Sequence, residues 1–538
     1  MAPSPRPNEG RPNFVSSLLR ISTNQFAGSL PCITHSRNVL FLGFQFDMQR
    51  AHGICANTST FFSLEKFNDT SVMMQARHQF STPSDNWCQV HFADSEIKVL
   101  RASKQYIYDD LGNEFLDCVS SSAHVGHCHP HVVAAGHAQM LKLWTTQGFL
   151  NDTYSQYMKK LMDILPESLS VVYLVNSGSE ATDLALRLGR LYTKRHDVAV
   201  FESSYHGNIS SLVDISSKSF KRLPQGKKDF VHVIPLPRTR NNIENDQAEF
   251  CNEAQKVIQK ASQNGTPVGV FISEIVVAAA GVVIPPPNYF KTVYQMVRSQ
   301  GGICIADEVQ TGLGRLGGDF WAFQGYGVVP DILAFGKSQG NGFPMAAVVT
   351  TREIADSLPE YMSTYGGNPL ACAIGKAVLE VIINEKLMYS AKMVGKFLLE
   401  GLRGLMSKHP TIGDVRGMGL CIGMEVVCGR PDMKPATNFA NRVLYLLKEQ
   451  KVIVATQGEE RNVIAMTPPL CFTLENARRV IGAFDNAFTK ASQNDDVAPV
   501  PPNTSILGLA SIPSNILGEN EEEMPGPAKR QRQYEEMD

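Results

Sequence analysis

Gly301-Gly302-Ile303-Cys304-Ile305-Ala306-Asp307-Glu308-Val309-Gln310-Thr311-Gly312 and, further on, Asp331-Ile332-Leu333-Ala334-Phe335-Gly336-Lys337 decide the fold. Each is a short apolar run that ends abruptly in a group able to do chemistry, a carboxylate in the first and an amine in the second. Apolar runs of this length, set among amphipathic helical stretches, are buried strands of a largely parallel sheet covered on both faces. The C-terminal ends of such strands face the ligand crevice, which places Asp307 and Lys337 on one edge. A lysine at a strand end is more often simply solvated, so the pair acquires meaning only beside a third feature.

That feature is Val171-Val172-Tyr173-Leu174-Val175-Asn176-Ser177-Gly178-Ser179-Glu180, a strand that breaks into small residues. Ala181, Leu184, Ala185 and Leu188 then follow at helical spacing. The first turn of a helix offers free N–H groups and a positive dipole end, and Gly178 lets a ligand approach the backbone, so the junction suits a phosphate. Taken alone, Ser-Gly-Ser is as often only a helix cap. A lysine, an aspartate and a phosphate-binding helix start on one edge are together what pyridoxal 5'-phosphate (PLP) requires. The amine forms a Schiff base, the carboxylate keeps the pyridine nitrogen protonated, and the helix anchors the phosphate. A charge-assisted hydrogen bond of that kind contributes about 1.5–3 kcal/mol.

Outward from this centre, Val198–Phe201, Val268–Ser273 and Ala346–Val349 complete the readable strands between about residues 152 and 370. Near the N-terminal side, Val90-His91-Phe92 and Ile97–Leu100 alternate as short strands. Tyr106-Ile107-Tyr108 and the turn Asp109–Asn113 then predict a hairpin. Beyond Leu370 come a long helical run, a strand pair around Gly419–Val427, and a further helix and strand ending near Phe472. The expected organisation is an N-terminal extension over 1–86, the first part of a small domain over 87–120, and a large cofactor-binding domain over 121–370. The small domain resumes over 371–490, and a tail rich in Pro, Ser, Asn and Glu, expected to be disordered, covers 491–538.

Six motifs occur in order: Ser177-Gly178-Ser179-Glu180-Ala181, Tyr205-His206-Gly207, Asp307–Gly312, Gly336-Lys337, Thr364-Tyr365-Gly366-Gly367-Asn368-Pro369 and Val415-Arg416-Gly417-Met418-Gly419-Leu420. Over about residues 88 to 485 the chain resembles the class III aminotransferase family. The resemblance implies an α/β chain of the PLP-dependent transferase fold type I, with a mainly parallel seven-stranded sheet in the large domain and a small α+β domain. It implies that Gly178 and Ser179 hold the cofactor phosphate, that Tyr205 stacks on one ring face and Val309 on the other, and that Gln310 lies near the phenolic oxygen. Asp307 pairs with the ring nitrogen, Lys337 is the covalent anchor, and Thr364 reaches the phosphate of a neighbouring subunit, so the active unit is a homodimer or a tetramer built from it. Arg416 is matched to an anion-binding arginine, and Glu274 to the glutamate that pairs with it when no substrate carboxylate is present.

The shared apparatus serves transamination and elimination alike, because both begin with removal of a proton from the amino-bearing carbon. Gly189–Thr193, Phe230–Pro235, Arg461-Asn462-Val463-Ile464 and Pro468–Thr473 resemble a subgroup of alanine-glyoxylate aminotransferase-like proteins that includes ethanolamine-phosphate and phosphohydroxylysine phospho-lyases. The chain also has Glu274-Ile275-Val276-Val277-Ala278 where many class III aminotransferases carry Glu-Pro-x-Gln-Gly. The expectation is an enzyme that eliminates phosphate and ammonia from a phosphorylated amino alcohol. An aminotransferase using glyoxylate or pyruvate is the alternative, and a non-catalytic PLP-binding dimer a further one.

Weaker signals carry bland readings. Gly312-Leu313-Gly314-Arg315-Leu316-Gly317 fits a dinucleotide pattern, but no helix-forming run follows it. His127-Cys128-His129-Pro130 is read as a turn with no metal, since ligands on successive residues cannot converge on one ion. His206 is read as a neighbour that positions Tyr205 rather than a proton shuttle. Lys plus Arg total 50 against 52 for Asp plus Glu, a net charge of -2 that gives no electrostatic case for nucleic acid or a membrane as partner; the substrate implied by the cofactor reading is a small amine or amino acid. The 11 scattered cysteines lack Cys-x-x-Cys spacing and read as reduced thiols of an intracellular compartment. Arg6, Arg11, Arg20 and Arg37, with only Glu9 as an acid before Asp47, fit a mitochondrial transit peptide and hence the matrix; a disordered extension of a cytoplasmic protein fits them equally.

Overall fold

In a computed structural model the described residues are 91–493, apart from 93–94, 147, 239–242 and 431. The expected transit segment, most of the expected tail and Val90 lie outside them. Near the N-terminal side, β1 (Val99–Ser103), β2 (Tyr106–Asp109) and β3 (Glu114–Asp117) form an antiparallel meander. The β2–β3 turn is tied by Asp109, whose carboxylate accepts from the N–H groups of Leu111 and Asn113. The alternation at 90–92 and 97–100 overstates the strands there. His91 and Phe92 lie in a bend, Phe92 with φ +57°, and the first strand begins only at Val99.

The central sheet contains β4 (Val171–Val175), β5 (Val198–Phe201), β6 (Val231–Ile234), β7 (Val270–Glu274), β8 (Ile303–Asp307), β9 (Ile332–Phe335) and β10 (Ala346–Thr350). Its order is β4-β10-β9-β8-β7-β5-β6, and β10 alone runs against the rest. The mainly parallel seven-stranded sheet is therefore as expected, with β6 the strand that the apolar-run reading had not separated. Side chains alternate between the two faces. Val270, Ile272, Ile303, Ile305, Ile332 and Ala334 pack with the helix Gly178–Thr193 on one face. Phe271, Cys304, Ala306, Leu333 and Phe335 join the larger core on the other. Cover on both faces explains why these strands read as unbroken apolar runs rather than alternating ones.

Further along, β11 (Ile412–Met418) and β12 (Cys421–Val426) make the hairpin expected around Gly419. Two more strands, β14 (Ala455–Gln457) and β15 (Val463–Met466), extend it to the antiparallel order β11-β12-β15-β14. Between the hairpin and this pair in sequence, β13 (Val452–Ile453) adds in parallel to β3, so the N-terminal meander and the C-terminal region share one sheet. The last helix, Leu474–Gln493, continues past 490, where the tail was expected to begin.

The glycine pattern at 312–317 serves packing. Gly317 has φ +78°, and a Cβ there would meet the Lys392 backbone nitrogen at 2.4 Å, so the turn sits directly against the helix Leu387–Gly404. Arg315, within the same turn, is buried. It donates to the carbonyls of Pro468 and Ser121 and contacts His124 Nδ1. Burial holds its guanidinium at a pKa of about 10. His127 turns to Asp117 and His129 to Glu385, so the two imidazoles diverge. Among the described residues no helix is long and apolar enough to cross a membrane.

Candidate active site

Register brings the chemistry together. Glu274 at the end of β7 stands opposite Asp307 at the end of β8, and Asp307 stands opposite Ala334 on β9, from which the chain runs through Phe335 and Gly336 to Lys337. All three polar residues line one pocket at the C-terminal edge of the parallel strands. On the far side of the sheet order, β10 pairs antiparallel with β4 so that Ala346 faces Val175, which sets the Ser177–Ser179 turn on the same rim.

The helix start is built as the sequence implied. Ser177 accepts a hydrogen bond from the Glu180 N–H, and the Glu180 carboxylate accepts from the backbone and side chain of Asn176 at 2.9 Å. A Cβ on Gly178 would lie 2.6 Å from Val309 Cγ1, so only glycine lets Val309 close against the helix start. Tyr205, Val309, Gly178 and Ser179 all line the pocket, and Asn208 N–H donates to Ser179 Oγ.

Asp307 is buried, and each of its oxygens is engaged once. Oδ2 accepts from His206 Nδ1 at 2.8 Å, and Oδ1 from the Val309 N–H at 3.1 Å. Lone pairs remain for a further donor. The His206 imidazole is thus a support for Asp307, not for Tyr205; its Nδ1 contact fixes the ring, and Nε2 is buried with no partner among the described residues. What holds the Tyr205 backbone is Glu274, which accepts from the N–H groups of Tyr205 and Ala279. Burial raises the Glu274 carboxyl above its ordinary range, against the pull of His206.

Lys337 follows a strand end in a strained conformation, φ +35°, and its ammonium donates to Gln310. Burial lowers its pKa, with Glu274 and Asp307 opposing. A lysine biased towards the neutral amine is the form needed both for a covalent carbonyl link and for proton removal. One pocket lined by Tyr205, Val309, a buried carboxylate with lone pairs to spare, a lysine amine and a glycine-bearing helix start fits pyridoxal phosphate.

One expectation is not met. Arg416 and Glu274 do not pair. Arg416 is 9% exposed and lies outside the pocket lining; its guanidinium donates twice to the Gly281 carbonyl, at 3.0 and 2.8 Å, and to Asp414 and Glu425 at 2.8 and 2.6 Å. The β11–β12 hairpin places Glu425 and Asp414 beside it, a proximity set by strand pairing that the linear motif does not contain. Thr364 is exposed and outside the pocket of its own chain. The structure also brings in residues that no motif marked. Ser121 and Thr467 line the pocket, as does Gln457, which accepts from the ammonium of Lys218. Nothing in the local sequence around Lys218 signals this, because the contact spans the fold.

The chain matches the family model described as aminotransferase class-III over residues 90–488. It is 42% identical to a protein of Drosophila melanogaster named alanine–glyoxylate aminotransferase 2-like, over 76% of this chain and 85% of that one. It is 38% identical to ethanolamine-phosphate phospho-lyase homolog 1 of Caenorhabditis elegans, over 75% of this chain and 90% of that one. Among solved structures it is similar to a phospholyase from Arthrobacter in complex with phosphoethanolamine. The TM-score is 0.72 and the identity 29%, and the match covers 78% of this chain and 99% of that one.

Proposed function

Given that the chain belongs to the class III aminotransferase family and is a pyridoxal-phosphate-dependent enzyme, we propose that it eliminates phosphate and ammonia from a phosphorylated amino alcohol such as phosphoethanolamine or 5-phosphohydroxylysine. With phosphoethanolamine, substrate and one water become acetaldehyde, ammonia and phosphate. The C–O bond to phosphate breaks with its electron pair leaving on the phosphate, and the water oxygen ends in the aldehyde.

When bound, the cofactor supplies an electron sink for the pair released as the C–H bond beside the substrate nitrogen breaks. The chain does the rest. Lys337 would hold the cofactor and, once freed, would be the base that takes that proton; Gln310 orients its Nζ, and burial lowers its pKa. Asp307, braced by His206, would hold the proton on the ring nitrogen. The N–H groups at Gly178 and Ser179 would take the cofactor phosphate, and Tyr205 and Val309 would enclose the ring.

The observation that carries the choice over transamination is the engagement of Arg416. A transaminase handles an amino acid and a keto acid in turn, which calls for an arginine that can exchange a glutamate for a substrate carboxylate. Here four hydrogen bonds bind Arg416 to Gly281, Asp414 and Glu425, and Glu274 is taken up by two backbone N–H groups. That exchange has no partner. The test is to give the purified enzyme phosphoethanolamine and 5-phosphohydroxylysine: phosphate and ammonia should appear in equal amounts. Glyoxylate or pyruvate consumed with an amino donor, and no phosphate released, would replace this reading with an aminotransferase.

The proposed assembly is a homodimer. Leu141, Trp144, Phe149 and Leu150 are 56–100% exposed, and Met362 and Tyr365 flank Thr364 with 76% and 65% exposure. Apolar surface on that scale belongs in an interface, and burying it would let Thr364 reach a partner's cofactor phosphate. Delivery to the mitochondrial matrix is proposed from the arginine- and serine-rich first 47 residues.

A further inference from the structure

The backbone of Lys337 has a φ of +35°, a conformation that a residue with a Cβ keeps only where its surroundings over-determine it. Upstream the sheet does so. β9 is paired with both β8 and β10, and a Cβ on Gly336 would stand 3.1 Å from that of Ala346. Downstream the chain leaves the sheet for the 3₁₀ turn Lys337–Gly340, whose Gln339 N–H donates to the Gly336 carbonyl at 3.1 Å. Asn341 fixes the far end: its side chain accepts from the Val125 N–H and donates to the Gly126 carbonyl, each at 2.9 Å.

The middle of the turn is tied by Gln339. Its amide is fully buried and donates through Nε2 to the hydroxyl of Tyr157, which is fully buried on the helix Asp152–Met162. Tyr157 is itself closely packed, since a Cβ on Gly375, in the helix Pro369–Asn384, would lie 3.0 Å from its Cε2. Burial raises its phenol pKa, so the hydroxyl stays neutral. As a source of stability the pair is poor. Gln339 Oε1 is buried with no partner among the described residues, and an apolar pair of the same shape would be about as stable. What the bond does fix is direction, because it ties the turn just after Lys337 to an element outside the sheet.

We propose that the Gln339–Tyr157 hydrogen bond is a positioning clasp that holds the Lys337 turn in its strained form and so keeps the Lys337 amine directed at Gln310 and the pocket. Neither Gln339 nor Tyr157 lines the pocket, so both act through Lys337. The proposal rests on Lys337 as anchor and base, and is indifferent to the choice between elimination and transamination. Without the clasp the turn is free to relax towards negative φ. The amine moves with it, because the side chain is carried by that backbone. A displacement on the order of 1 Å in a reacting group costs up to about 100-fold in rate.

The test uses holoenzyme of wild type, Tyr157→Phe, Gln339→Met and the double variant, with Lys337→Ala as control. Each single substitution strands one buried polar partner and should lower the melting temperature; the double removes both and should recover most of that loss. Function should not follow stability. In all three variants kcat should fall about 10- to 100-fold with KM within about threefold of wild type. It is measured on phosphoethanolamine, or on an amino donor with pyruvate if wild type releases no phosphate. The pH midpoint of the absorbance of covalently held cofactor should shift by about 0.5 unit or more, since the linking nitrogen has moved relative to Asp307 and Gln310. Cofactor content should be unchanged. If Gln339→Met does not fold, kcat and the midpoint in Tyr157→Phe give the same reading. Unchanged kcat and midpoint in the single variants, or a kcat that recovers with the melting temperature in the double, would overturn the clasp and leave wild-type phosphate release standing for elimination. A wild type that transaminates and releases no phosphate, with the variants impaired as described, would do the reverse. Lysine-linked absorbance surviving in Lys337→Ala would remove the anchor role and the clasp with it.

Discussion

Replacing Arg416 by alanine separates two accounts of that residue. The structure makes it a buried clasp: its guanidinium joins the Gly281 carbonyl to Asp414 and Glu425. Removing it leaves Gly281 without that donor and Glu425, only 8% exposed, without its closest cation. Breaking a buried pair costs about 3–5 kcal/mol. Glu425 keeps Arg238 at 3.0 and 3.1 Å, and Asp414 is solvated, so the expected loss is about 2–4 kcal/mol. Because an alanine cannot refill the space, the melting temperature should fall on the order of 5 °C. The loss of Arg416 also lets the Glu425 pKa rise, since Arg416 is the first of the two cations that lower it against burial. The assays are thermal unfolding of the holoenzyme and steady-state kinetics on phosphoethanolamine below the melting range. KM should stay within about threefold of wild type, as expected where no direct substrate contact is lost. An unchanged melting temperature with KM raised tenfold or more, on the scale of one lost charged contact, would mean that Arg416 binds substrate and that its described partners are not its working ones.

Lys337→Ala should abolish the absorbance of covalently held cofactor and essentially all turnover; appreciable phosphate release by that variant would refute its role. Asp307→Asn should lower kcat by roughly 10²–10³-fold, the scale of one lost electrostatic contact in a dry site, while His206→Gln should lower it less and shift its pH profile, since it acts only through Asp307. For Lys218 the folded pKa of about 8 lies below the unfolded value of 10.5, so the unfolded chain binds more protons between those values and this group makes stability rise with pH across that window. Melts of Lys218→Met against wild type from pH 7 to 10.5 should show the difference shrinking as pH rises, with the variant relatively more stable at pH 7. A constant difference would show that the ammonium is not under that strain.

Much of the scaffold was legible because burial on both faces leaves a direct mark on composition. Ile303–Asp307 and Ile332–Phe335 could be little else than central strands. The edge strand Val231–Ile234 escaped because His232 interrupts it and half of its side chains are only partly buried, so its pattern is that of many short segments. At the site, Lys337, Asp307 and the Ser177–Ser179 turn were readable since each sits directly at the end of an apolar run. His206 was noticed but given the wrong partner, as its sequence neighbour Tyr205 is nearer in the text than Asp307, which strand order brings within 2.8 Å. Glu274 was found and likewise misallocated: its acceptors were expected to meet a guanidinium and instead meet two N–H groups of adjoining loops.

From the linear chain alone came the parallel sheet, the edge on which chemistry gathers, and the residues delivered there by their own strands, since periodicity and strand ends are local properties. Tertiary structure alone decided which charges meet. Arg416 lies nine residues from Glu425 in sequence and meets it by hairpin register, while Lys218 reaches Gln457 across 239 positions. Hydrogen bonds and ion pairs act over a few ångströms, and proximity on that scale is fixed by packing rather than by the order of residues.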